Sequence, residues 1–189
     1  FSGKKDAWAL EAVAATVRKA KPDLVVVTGD LAYPVPFQAG TFNNLKEAEM
    51  FATLMESLGV YWTMTFGNHD TEIYSLYTRE EISEKVYTQD KWKYCIFTEG
   101  PKNIDGKGNQ LINVQTASGE ITQSLYLIDS HSYTDGDYFG IAWKYDKIHD
   151  NQVAWYADTV KKVNDTNTSR GFSGDVKSVS YTHLRAHET

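Results

Sequence analysis

Cysteine is nearly absent: Cys95 stands alone in 189 residues, so no internal disulfide can brace the chain. It lies in Tyr94-Cys95-Ile96-Phe97, where a small buried hydrophobe is its expected role. Long apolar runs are missing too. Nothing approaches the roughly 20 residues of a membrane span, and Phe1 follows no visible signal segment, so the sequence reads as soluble, cytoplasmic or exported. Basic residues are in deficit, 19 Lys and Arg against 25 Asp and Glu. The formal charge of −6 argues against a grip on long nucleic acid or anionic lipid. It does not argue against an anionic ligand held through a cation, which reverses the field locally. No internal repeat or heptad is evident. What remains is apolar and aromatic material, 41% and 13% of the chain, enough for the core of one globular domain. Composition leaves the oligomeric state open.

Asp6 can cap a helix from Ala7 to about Ala20, with Trp8, Val13 and Val17 at helical spacing and Pro22 as the stop. Leu24 to Thr28 is a continuous β-branched run, as expected of a parallel strand covered on both faces. Leu45 to Leu58 repeats apolar residues at helical intervals before Gly59, and Tyr61 to Phe66 reads as the next strand. A strand, helix, strand order is a βαβ unit, which sets the C-terminal ends of both strands on one sheet edge. Thr78-Arg79-Glu80-Glu81 has capping-box spacing for a short helix through about Val86. Tyr94 to Phe97, Gln110 to Gln115 and Ser124 to Ile128 read as further strands, with Ala117 to Glu120 as a turn. Asp150 is expected to cap a last helix through Asn164, followed by a loop to Gly174.

The strand ends carry the chemistry. In Val25-Val26-Val27-Thr28-Gly29-Asp30 a carboxylate follows a strand next to a glycine that lets the backbone turn closely. Such a group can bridge two cations or simply cap a turn. Gly136-Asp137 and Gly174-Asp175 lack that context. Gly67-Asn68-His69-Asp70, at the end of the neighbouring strand, sets an amide oxygen, an imidazole and a carboxylate in succession. The Asn can ligate a metal, the His can donate to a phosphoryl or leaving-group oxygen, and the Asp can fix the imidazole tautomer. His131 can reach the same edge from its loop or stay solvated there, and His149 reads as a helix-end residue.

These two motifs resemble those of the calcineurin-like metallophosphoesterases, and Tyr145-Asp146-Lys147-Ile148 with Gln152 and Trp155 resembles the purple-acid-phosphatase-like branch. The resemblance spans roughly Asp6 to Asn164. It implies an α/β fold, a β-sandwich flanked by helices in α/β/β/α layers, with two divalent or mixed-valence ions of Mn, Fe or Zn. It further implies metal ligands Asp30 and Asn68, catalytic His69 with Asp70, and hydrolysis of a small phosphorylated substrate. A phosphodiesterase or nuclease of the same fold, and a non-catalytic metal-binding scaffold, are the alternatives. Tyr33, three residues after Asp30, stands at the spacing of a purple acid phosphatase tyrosinate or serves as loop packing.

The family's first Asp-x-His and its distal Gly-His-x-His are missing here, which reads as truncation at both ends and predicts an inactive chain. Val179 to Thr189 resembles the translation of a transposon-end adapter used in sequencing libraries. The domain is therefore expected over 1–178, with 179–189 a non-native tail that packs poorly. Setting the tail aside removes His183 and His187 as metal ligands and leaves His69, His131 and His149.

Overall fold

The computed structural model describes residues 4–34, 40–134 and 145–183. Helix α1 runs over Lys4–Ala20, strand β1 over Leu24–Val27, helix α2 over Asn44–Leu58 and strand β2 over Tyr61–Met64. Strands β1 and β2 pair in parallel, Leu24 opposite Tyr61 through Val27 opposite Met64, so the expected βαβ unit is present. Asn43 caps α2 by accepting from the Lys46 N–H, and Gly59 ends it in the left-handed conformation at φ 66°. Asp6 lies inside the first turn of α1 rather than before it, because the helix starts at Lys4, three residues before Ala7. An acidic residue there still opposes the positive end of the helix dipole.

Trp62, Met64 and Phe66 point from β2 and its extension into the main core. They meet Phe51, Ala52 and Met55 of α2 and Ile82, Val86 and Tyr87. The last three belong to a helix, α3 over Arg79–Ile82, that widens into a π turn over Ser83–Tyr87. Its capping box is formed: Thr78 accepts from the Glu81 N–H and Glu81 from the Thr78 N–H. Strand β1 is half-buried along its length rather than covered on both faces. Leu10, Val13 and Val17 of α1 pack on this core, and among the described residues β2 is the only strand paired with β1. The expected strand at Tyr94–Phe97 shrinks to one bridge, Trp62 with Cys95, on the far side of β2.

A second sheet has the order β3, β4, β5, over Gln110–Gln115, Ile121–Leu127 and Lys177–Tyr181. Strands β3 and β4 form the expected hairpin. Gln110 ties this sheet to the first, accepting from Thr63 Oγ1 and donating to the Met64 carbonyl. Helix α4, Asp150–Ser169, packs on β4 through Trp155 and Tyr156 against Tyr126. Helices thus accompany both sheets in a mixed α/β fold, as the sequence implied. Among the described residues no helix is long and apolar enough to cross a membrane.

Two expectations change. Helix α4 continues five residues past Asn164, because buried Asn167 bonds both the N–H and the carbonyl of Ile121 and pins the helix end to β4. Residues from Val179 onward were expected to pack poorly, yet β5 pairs in parallel with β4, Leu125 opposite Val179 and Leu127 opposite Tyr181. Pairing at a sheet edge uses backbone groups that every non-proline residue supplies, so it makes small demands on side-chain identity.

Candidate active site

Two glycines bring the strand ends together. A Cβ on Gly29 would lie 2.5 Å from the Gly67 nitrogen, and one on Gly67 would lie 2.2 Å from Asp30 Oδ1, so the two loops touch backbone to backbone. Asp30 itself adopts φ 56°, an uncommon left-handed conformation for a residue with a side chain. What holds it there is Asp70. The buried Asp70 carboxylate accepts backbone N–H groups from Asp30 at 3.0 Å, Ala32 at 2.9 Å and Gly67 at 2.7 Å. Burial pushes the Asp70 carboxyl up, and the amide bonds from Gly67 and Ala32 oppose that rise.

Asp30 Oδ1 accepts the His69 N–H at 3.0 Å, which sets Asp30 beside the Asn68-His69 segment at the C-terminal edge of the first sheet. Asn68 is buried and donates Nδ2 to the Tyr133 hydroxyl at 2.8 Å, while its carbonyl accepts from Ser132 Oγ at 2.8 Å. His69 projects from a 3₁₀ turn over His69–Thr71, and its Nδ1 meets Glu72 Oε1. The residue touching the imidazole is therefore Glu72, whereas Asp70 faces inward to backbone. Residues three apart eclipse on a 3₁₀ turn, a spacing that would have flagged Glu72 had the turn type been read. Tyr33 sets its ring edge-on to His69, centroids 4.7 Å apart, as loop packing would have it.

His183, set aside with the tail in the sequence, comes to this edge. It extends past β5, its Nδ1 donating to the Thr28 carbonyl at 2.6 Å and its Nε2 lying 2.9 Å from Asp30 Oδ2. The hydrogen bond that His183 gives to the Asp30 carboxylate raises the His183 pKa. Burial pushes Asp30 up, but the bonds from His183 and the His69 N–H outweigh it and hold the carboxyl below its usual range. His187 lies outside the described residues, as do Gly136 and Asp137.

Arg79 braces the loop from below. Its Nη2 donates to the Gly67 carbonyl at 3.0 Å, its Nε to Thr71 Oγ1 at 3.2 Å, and its Nη1 pairs with fully buried Asp129 Oδ1. Asp129 also accepts the Lys107 and His131 N–H groups, at 2.8 and 2.9 Å. Neither residue was singled out as part of the site, because an Arg in a helix cap and an Asp at a strand end carry no motif of their own.

Asp30 supplies a carboxylate in contact with the His183 imidazole, and Asn68, next to the His69 whose N–H Asp30 accepts, adds an amide oxygen; these are donors of the kinds that divalent Mn, Fe or Zn accept. In kind they fit a metal, and in number they are short of what two ions need. The family model for calcineurin-like phosphoesterases matches residues 4–184. Among curated proteins, the chain is 34% identical over 162 residues to a protein of Arabidopsis thaliana named "Probable inactive purple acid phosphatase 14", covering 77% of this chain. The alignment covers 36% of that relative, so this chain spans about a third of its length. No solved structure matches the chain. With Gly-Asp and Gly-Asn-His-Asp joined on one sheet edge and the match running from Lys4 to Leu184, the chain belongs to the calcineurin-like phosphoesterase family.

Proposed function

We propose that the intact protein hydrolyses esters of a small phosphorylated substrate at this edge, with Asp30 and Asn68 among the ligands of a dinuclear metal centre. The observation that supports it is the bond from the His69 N–H to Asp30, which sets a proton-carrying imidazole beside the carboxylate best placed to hold metal. Bound ions would supply activated water and positive charge for the phosphoryl oxygens. The protein does the rest. Glu72 accepts from His69 Nδ1, so Nε2 is the atom left for the leaving-group oxygen, and it is the doubly protonated ring that would give its Nε2 proton there. Asp70 is a positioning residue in this scheme, holding Asp30 and Gly67 through their amides rather than orienting the imidazole. On this reading residues 179–189 keep their proposed adapter origin, and His183 lies beside Asp30 as part of that tail rather than as a ligand of the intact protein.

In the intact protein, His69→Ala should lower turnover of an aryl phosphate about 10²-fold or more with metal content near normal, and Asp30→Ala should lose metal as well. Wild-type rates in both variants would refute the assignment. Residues 1–189 by themselves should turn over poorly, being short of ligands. The relative's name favours a second reading, a metal-binding scaffold without turnover. It is distinguished by metal content that falls in Asp30→Ala although the unsubstituted intact protein shows no hydrolysis.

A further inference from the structure

We infer that His131, Asp146 and His149 form a separate binding site for one divalent ion of the zinc type, a clip that joins the loop after β4 to the start of α4. Their ligand atoms all lie within 4.8 Å of one another. The His149 Nε2 to Asp146 Oδ1 distance is 3.3 Å, the spacing of two donors about 2.0–2.1 Å from one tetrahedral ion.

The hydrogen bonds around the cluster decide which atoms are free. Gln152 is fully buried and gives Nε2 to Asn109 Oδ1 at 3.0 Å and to the Asp129 carbonyl at 2.7 Å, so its Oε1 is an acceptor. That oxygen lies 3.1 Å from His131 Nε2. The proton of neutral His131 is therefore on Nε2, and the lone pair is on Nδ1. His149 is fixed the same way by a carboxylate: Nδ1 meets Asp105 Oδ2 at 2.7 Å, which leaves Nε2 toward Asp146. Each imidazole thus has one nitrogen held by an outer acceptor and the other available, the arrangement by which proteins orient metal-bound histidine.

Two imidazoles and one carboxylate favour a borderline ion over magnesium or calcium, and three protein donors leave a position for water. The carboxylates of Asp105 and Asp146, which flank the His149 ring, also place negative charge beside the cluster that a dication would offset. The rings are now stacked, centroids 4.1 Å apart and 16° from parallel, so binding requires His131 to tilt until Nδ1 faces the ion. Its backbone is already set in the left-handed region at φ 64°, with its N–H on Asp129. The next two residues, Ser132 and Tyr133, are those that hold Asn68. An ion here would steady that loop from outside the candidate active site.

The test uses the chain carrying Asp30→Asn, which disables the first centre, stripped with chelator and given zinc chloride alone. One equivalent of zinc should bind, and adding Asp146→Asn or His131→Gln should remove it. Asp105→Asn should weaken uptake about 10- to 100-fold by freeing the His149 ring. Nitrogen NMR of the Asp30→Asn protein supplies a readout that does not depend on how the further variants fold. Zinc should shift His131 Nδ1 and His149 Nε2 and spare their other nitrogens. Zinc uptake that survives both Asp146→Asn and His131→Gln, or ring nitrogens that ignore zinc, would overturn the site whatever the outcome at Asp30.

Discussion

The Cys95 thiol, half-buried beside β2, is pushed up to about 11 by burial, with the Glu56 charge adding to the rise. At pH 8 its thiolate fraction is smaller than that of an exposed cysteine by roughly 10²-fold, so iodoacetamide should label it that much more slowly. Labelling should recover in denaturant, and should quicken in the native protein only as pH rises toward 11. Equal rates for native and unfolded chain would show the thiol to be open. At Arg79 the expectation concerns stability. Asp129→Ala leaves a guanidinium facing a buried, unpaired position and exposes the Lys107 and His131 N–H groups to a missing acceptor. Chemical denaturation should show a loss of about 3–5 kcal/mol. Arg79→Leu, by stranding Asp129 instead, should lose a similar amount. Asp30, Asn68 and His69 were legible because a motif at a strand end is local in sequence. Glu72 was hidden behind an unread turn type, and Arg79 and Asp129 were hidden because their partners are fixed by tertiary approach.

Between elements, the close contact of Gly29 and Gly67 ties the two strand ends with no side chain in between. Gly67→Ala would force a Cβ into Asp30 Oδ1, so the loops must part. The His69 N–H should then lose its protection from hydrogen exchange along with a fall in melting temperature. Unchanged protection would mean the loops tolerate the extra atom. At the other end of the molecule Asn167→Ala orphans both backbone groups of Ile121, a cost of about 1–3 kcal/mol measurable by denaturation. The same residue explains why the end of α4 was misjudged. Asp165 to Ser169 is a polar, threonine-rich run with weak helix propensity, and only its bonds to β4 keep it helical. The βαβ unit was readable because period and turn signals agree there. The cut-down Tyr94–Phe97 strand was not, because its apolar residues serve the core cluster with a single bridge to β2.

At the scale of the whole molecule, among the described residues the second sheet gains its third strand only from Lys177–Tyr181. Deleting residues 177–189 would bare one edge of β4, and size-exclusion chromatography should then show self-association that the undeleted chain lacks. A deletion variant that stays monomeric would show the edge to be protected by other means. The adapter-like character of these residues is visible in sequence and their pairing is not, because an edge strand is recruited by exposed backbone and leaves almost no compositional trace. Strand β5 has one more consequence, in time rather than space. His183 reaches Asp30 across more than 150 residues of chain, and it is delivered by the strand that pairs last in chain order. During folding the Asp30 and Asn68 loops can close on each other before Lys177–Tyr181 has found β4. The last donor then arrives by a long loop closure, the slow kind of contact in folding. The folding chain therefore passes through an interval in which its core is built and the His183 contact to Asp30 is still missing.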